Sequence, residues 1–216
     1  MNSNLKKRIL MSLLGVVVCA ISVGIFKIAA LGVDPFQSFM AGLDSVVPLD
    51  FGTVYVIANV VLLSFALITD RHYIGIATFI NLFLLGYITE FTYESLQKVI
   101  VNPSIVLRLV LLLVAVGIIC FGSAFYITAD LGVSTYDAVA LVLANKYKIG
   151  KFKYIRICTD LVCIIIGIAL YLLGGGQLAM VPTFVGVGTI ITAFFMGPLI
   201  EYFNDKFARP FLNGKN

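Results

Sequence analysis

The sequence predicts an all-α, polytopic membrane helix bundle built from two homologous repeats. Three observations predict it: an apolar composition, apolar runs of spanning length, and one motif written twice. Hydrophobic residues make up 61% of the chain and charged residues 12%, with a mean hydropathy of +1.07. A soluble domain carries roughly a quarter charged residues, so this chain has too few to wet a surface of its own. Its 216 residues hold about six spans of roughly 20 residues and little else.

The repeated motif is Leu31-Gly32-Val33-Asp34-Pro35-Phe36, echoed one hundred residues later as Leu131-Gly132-Val133-Ser134-Thr135-Tyr136. At the same offset Arg8 meets Arg108, Val16 meets Val116, Phe26 meets Tyr126 and Ala29 meets Ala129. With one residue inserted, Phe51 meets Phe152 and Asn59 meets Asp160. After a longer insertion, Ile74-Gly75-Ile76-Ala77-Thr78 meets Val185-Gly186-Val187-Gly188-Thr189, then Gly86 meets Gly197 and Glu90 meets Glu201. Self-similarity in one order over nearly the whole chain reads as a tandem duplication, with repeats over residues 1–98 and 99–216 of one integral membrane domain.

In chain order, residues 1–8 are polar and basic, and the first span runs over about 9–30 as an uncleaved helix. Gly32 then permits a backbone reversal, Asp34 is an N-cap and Pro35 sits at N1, where its missing N–H is harmless. The helix begun at Asp34 ends by Pro48. Its length, about 21 Å at 1.5 Å per residue, falls short of a hydrocarbon core about 30 Å thick, which predicts a half-inserted or re-entrant helix. Spans follow over 52–69 and about 73–92, then a polar connector over 93–104 broken at Asn102-Pro103. The second half repeats the plan: a span over about 104–128, a turn at Gly132 with a short helix to about 145, and spans over 152–173 and 183–203. Thr78 and Thr189 follow small residues and read as helix-packing positions, with hydroxyls bonded back to the i−4 carbonyl.

Twelve of the fifteen Lys and Arg fall on one side of a six-span plan, leaving Lys27, Lys98 and Arg108 on the other. The positive-inside rule then puts both termini in the cytoplasm of a bacterial plasma membrane protein. Three spans per repeat would insert the halves in opposite directions, the inverted-repeat plan of many secondary transporters. Eight spans with parallel repeats fit the charges about equally well, with only Lys27 and Arg71 outside; helix length favours six.

Ionisable groups inside a span usually have a reason to be there. Asp160 lies about eight residues into its helix, with Asn59 as its counterpart, and Arg156 is one turn away on the same face. The trio reads either as a solute- or ion-contacting group or as an internal salt bridge that locks helices together. The two short helices would aim their free N–H groups at a common cavity lined by Asp34, Gln37, Ser134, Thr135 and Asp137; the plainer reading is capping alone by Asp34 and Ser134. The four cysteines fall in apolar runs without C-x-x-C spacing and read as small buried hydrophobes. Protease, esterase and P-loop motifs are missing from the sequence, so neither an enzyme nor a metal site nor a cofactor is expected. The net charge of +4 marks membrane edges, not a nucleic-acid partner.

The basic N-terminus, the Leu31–Phe36 motif and Gly75 to Gly86, with Leu131–Tyr136 and Gly186 to Gly197 in the second half, resemble the YczE-like membrane proteins of the broader YitT set. The resemblance implies a bacterial inner-membrane protein without a soluble C-terminal domain, and it names no substrate. Two functions follow as expectations. One is a small-solute or ion-coupled secondary transporter-like protein, with the bilayer, a small solute or ion and a possible homodimer as partners. The other is a non-transporting membrane partner, such as a substrate-capture subunit of a larger importer or an accessory to another envelope or biosynthetic enzyme.

Overall fold

A computed structural model describes residues 3–150 and 152–213, and all their regular structure is helical. Lys151 and Lys215, two of the predicted basic edge residues, lie outside the described residues. The helices are α1 (Ser3–Ala29), α2 (Pro35–Val46), α3 (Phe51–Thr69), α4 (Ile76–Val99), α5 (Ile105–Ala129), α6 (Thr135–Leu141), α7 (Phe152–Leu173), α8 (Val187–Phe203) and α9 (Arg209–Asn213). Six segments are long and apolar enough to cross a membrane: α1, α3, α4, α5, α7 and the stretch Leu178–Asn213. At 12 residues, α2 is about 18 Å long and is not among them, in keeping with six spans.

The centre of the bundle is a crossing of α1 and α5. Gly15 lies so close to Gly122 that a Cβ on it would sit 2.7 Å from the Gly122 carbonyl oxygen. Further on, the Cys19 thiol reaches the Ile119 carbonyl (3.7 Å) and the Ser22 hydroxyl donates to the Ala115 carbonyl (2.7 Å). Residue numbers rise along one helix as they fall along the other, so α1 and α5 run antiparallel. Small residues at the seam let the two backbones touch, the packing that substitutes for a hydrophobic drive in lipid. The helix α4 packs on α1 and α8 on α5. The short helices exchange sides: α2 packs on α7, through Gly42 against Gly167, and α6 packs on α3.

Each short helix lies between the two ends of the bundle, and the chain around it returns to the end it left. At one end of the bundle the Lys27 ammonium, near the end of α1, lies 3.7 Å from the centre of the Phe51 ring that opens α3. The chain between them therefore leaves and returns to the same end. At the opposite end the Asn145 amide, just after α6, donates to the Tyr73 hydroxyl (2.8 Å), while Asp130 and Gly132, just before α6, share a cavity wall with His72 and Tyr73. Between those ends, Asp34 caps α2 by accepting the Phe36 and Gln37 N–H groups (3.1 Å each), and Ser134 caps α6 by accepting that of Asp137 (3.1 Å). Gly32 and Gly132 have φ of +101° and +108°, a left-handed conformation open to glycine and strained for most other residues.

Each turn is clasped by the opposite half. The Gly32 N–H donates to the Thr183 carbonyl (3.0 Å), Val33 N–H to Phe184 (3.1 Å), and Gly188 N–H returns a bond to Leu31 (2.7 Å). In the other turn Val133 N–H donates to Tyr73 (3.1 Å) and Ala77 N–H to Leu131 (3.0 Å). These bonds satisfy backbone groups that an extended segment inside an apolar bundle would otherwise leave unpaired. Thr78 and Thr189 serve the clasp. The Thr78 hydroxyl accepts from Gly75 N–H (3.2 Å) and donates to the Val133 carbonyl (2.7 Å). That of Thr189 accepts from Gly186 N–H (3.2 Å) and donates to Phe184 (3.4 Å). Neither makes the expected bond to the i−4 carbonyl: the Thr78 hydroxyl donates to Val133 in the other half and that of Thr189 to Phe184, five residues back.

Several boundaries differ from the sequence reading. The third span continues to Val99 instead of ending near 92, because Tyr93, Glu94, Gln97 and Lys98 are compatible with a helix whose last turns reach water. The last span does not start at 183. A 3₁₀ turn over Leu178–Thr183, containing Pro182, precedes α8, and a π turn over Asn204–Ala208 joins α8 to α9. The span α7 is mostly unburied, which exposes Cys158 on its outer face while Cys19 and Cys120 are buried as expected. Outside the spans, hydrogen bonds from the Thr53 N–H and hydroxyl to Asp50 hold its carboxyl below the usual carboxylate range.

Candidate site at the meeting of the two short helices

The starts of α2 and α6 meet ring on ring: Phe36 and Tyr136 stack with centroids 4.9 Å apart, and Tyr55 from α3 meets Phe36 edge-on at 6.0 Å. Beside them lies a cavity of about 270 Å³ whose wall includes Asp34, Gln37, Asn59, Ser134, Asp137 and Arg156. Cys19 and Ile119, the crossing residues of α1 and α5, also line it, which fixes its level at the middle of the bundle. A second cavity, about 810 Å³, shares Asp34, Tyr126, Asp137 and Arg156 with the first and extends to His72, Tyr73 and Asp130. A third, about 360 Å³, shares Gln37 and reaches Lys27, Asp44 and Tyr93 toward the other end of the bundle.

The charged residues are organised around Arg156. Its Nη1 pairs with Asp137, its Nε lies 3.2 Å from Asp160, and its guanidinium carbon sits 4.3 Å from the centre of the Tyr136 ring. The Tyr136 hydroxyl donates to Asp160 (2.7 Å) and the Ser134 hydroxyl to Asp137 (2.7 Å). A neutral chain stands beside this charged one. The Thr135 hydroxyl donates to the Asn59 carbonyl oxygen, the Asn59 amide donates to the Tyr55 carbonyl (2.8 Å), and the Tyr55 hydroxyl donates to Asn81 (3.2 Å). Three carboxyl groups therefore face a single guanidinium, and two of them are spent on it. Such an arrangement can hold a cation or exchange a proton, because an incoming positive charge relieves the surplus acid.

Six of the eight sequence-predicted contact residues line the 270 Å³ cavity. Asp160 instead lines the adjoining cavity, and Thr135 is buried behind Asn59. Asn59 is not a counterpart of Asp160 in chemistry, since its amide is occupied by Thr135 and Tyr55. Sequence reasoning missed the aromatic walls, Phe36, Tyr55, Tyr126 and Tyr136. One signal was present. One hundred residues on, Phe26 is answered by Tyr126, a hydroxyl added at a position that stays buried.

An uncharacterized protein of Haemophilus influenzae (strain ATCC 51907 / DSM 11121 / KW20 / Rd) is 22% identical over 205 residues, covering 94% of this chain and 86% of its own length. No solved structure matches the chain. Residues 6–205 match a family of unknown function, DUF6198. The chain belongs to that family, and its apolar helical bundle is of the multi-pass membrane type.

Proposed function

We propose that the protein is a small-solute or ion-coupled secondary transporter-like carrier made of two inverted three-span repeats. The observation that carries this reading is the meeting of two re-entrant helices, from opposite ends of the bundle, at one polar mid-level cavity. Broken or re-entrant helices with binding at the midplane are the architecture of many alternating-access carriers. The antiparallel crossing of α1 and α5 supports an inverted relation, because those two helices begin with the matched residues Arg8 and Arg108 and end at the matched turns. The exchanged clasps at Gly32 and Gly132 support it again.

The halves then differ where the chemistry lies. At the sequence offset of the repeats, Gln37 faces Asp137, Tyr55 faces Arg156 and Asn59 faces Asp160. At these three positions the first half contributes neutral side chains and the second charged ones, while Asp34 adds one carboxyl from the first half. Movement of one half past the other would open the cavity in turn toward His72 and Tyr73 or toward Lys27 and Tyr93. The positive-inside bias supports a cytoplasmic side for His72 and both termini, and the sequence likeness to YczE-like proteins accords with a bacterial plasma membrane. The test is solute uptake by purified protein in liposomes under imposed proton and sodium gradients. Uptake driven by either gradient, reduced in Asp160→Asn, is the expected result. Gradient-independent and Asp160-independent leakage, or none at all across metabolite pools, would reject the carrier.

A further inference from the structure

Among the four acidic and basic groups at the site, Asp34 stands apart. Arg156 is shared between Asp137 and Asp160, whereas Asp34 has no ion pair among the described residues. Its Oδ1 takes both bonds from the α2 N-terminus. Four aromatic rings share the same cavity wall with it: Phe36, Tyr55, Tyr126 and Tyr136. The Tyr126 side chain lines the cavity, and its hydroxyl is buried with no hydrogen-bond partner among the described residues. A buried phenol is normally paired.

We propose that this cavity binds an organic ammonium cation, with Asp34 as its counter-charge and the rings of Phe36, Tyr55 and Tyr126 as its aromatic wall. The proposal rests on the carrier reading only for what happens to the ligand, and it names the ligand class of the same site. Aromatic faces attract a weakly hydrated cation through their quadrupole, and a carboxylate at the cage wall adds the charge. An anion finds no open partner, since the guanidinium is spent and both helix starts are already capped. Val16, Val23, Leu85 and Ile119 supply apolar wall for the carbon part of an organic cation. A volume of about 270 Å³ lies at the small end of ligand pockets and suits a metabolite-sized amine.

The test is equilibrium binding to the purified full-length protein, with tetramethylammonium and choline as probes. The uncharged alcohol in which carbon replaces the choline nitrogen serves as the isostere, and sodium chloride as the ionic control. Saturable binding of both ammonium probes below about 10 mM, with at least about tenfold weaker binding of the isostere, is expected. Asp34→Asn keeps a good N-cap, so the fold survives it, and it is expected to weaken the ammonium probes by about tenfold or more. Equal binding of choline and its isostere, unchanged affinity in Asp34→Asn, or no saturable binding by the wild type overturns the proposal. Flux in liposomes separates the two readings. Ammonium binding without flux rejects the carrier and keeps the ligand class, whereas gradient-driven flux of another solute without ammonium binding rejects the ligand class alone.

Discussion

Arg156 shows how a single residue decides what a half-buried cluster tolerates. It pairs with Asp137 and Asp160 at once, so removing it leaves two carboxylates without their shared partner. Breaking a buried pair by deleting one partner is far more damaging than replacing the whole pair. These side chains are 21–37% exposed, so screening tempers the loss, and we expect Arg156→Met to destabilise the protein by about 1–2 kcal/mol, read as a fall in thermal midpoint in detergent. Adding Asp160→Asn to that variant should restore part of the loss. Thr78 and Thr189 offer a smaller, graded comparison. Thr78→Val removes a 2.7 Å bond to Val133 and Thr189→Val a 3.4 Å bond to Phe184. The first should cost about 1–2 kcal/mol and the second less, checked by the same melting assay. The pairing of Arg156 with Asp160 was readable in the sequence because it is an i, i+4 relation within one helix. The partner Asp137, on another element, was not, and neither was Tyr136, because an aromatic residue in an apolar run gives no sign of which ring it will meet.

At the scale of the element, the short helices are set by their turns and not by their own length. A Cβ on Gly32 would lie 2.5 Å from the Gly186 nitrogen, and one on Gly132 would lie 2.5 Å from the Gly75 nitrogen. Each alanine would thus meet both a strained left-handed φ and a backbone clash. We expect Gly32→Ala and Gly132→Ala each to destabilise by at least about 2 kcal/mol, seen as lost monodisperse protein in size-exclusion chromatography. Caps, glycines and the shortness of α2 were legible because each is a local rule. The last span was not, for Pro182 and Pro198 sit inside its helical pattern and the pattern alone does not say which of them breaks it. The end of α4 was misjudged for a related reason. Polar residues mark where a helix leaves an apolar layer, and the helix itself continues past that point to Val99.

The bundle as a whole carries its polar atoms to the middle and its apolar surface outward. Ile165, Phe194 and Phe195 are all more than half exposed, a surface that only lipid or another apolar face would cover. The six-span arrangement makes a topological claim that labelling can check. With Cys158 replaced, a membrane-impermeant thiol reagent on whole cells should modify Asn102→Cys and leave Asp205→Cys unlabelled. The reverse pattern, or labelling of both, would contradict the orientation drawn from Lys and Arg placement. That orientation and the likeness of the halves came from counting residues along the chain. The exchange of short helices between halves did not, because no local pattern reports which of two similar partners a segment chooses.

The crossed clasps have a further consequence for how the chain is made. The Leu31 turn finds its hydrogen-bond partners at Thr183, Phe184 and Gly188, about 150 residues later in synthesis. Until those residues emerge, a strained, extended loop must wait in the lipid without its backbone bonds, and the N-terminal half has no finished state of its own. Biogenesis of such a protein favours late closure over stepwise assembly, and it invites help from an insertion chaperone during the delay. Expressed separately, residues 1–98 should be degraded, whereas co-expression with residues 99–216 should recover a folded, co-purifying pair.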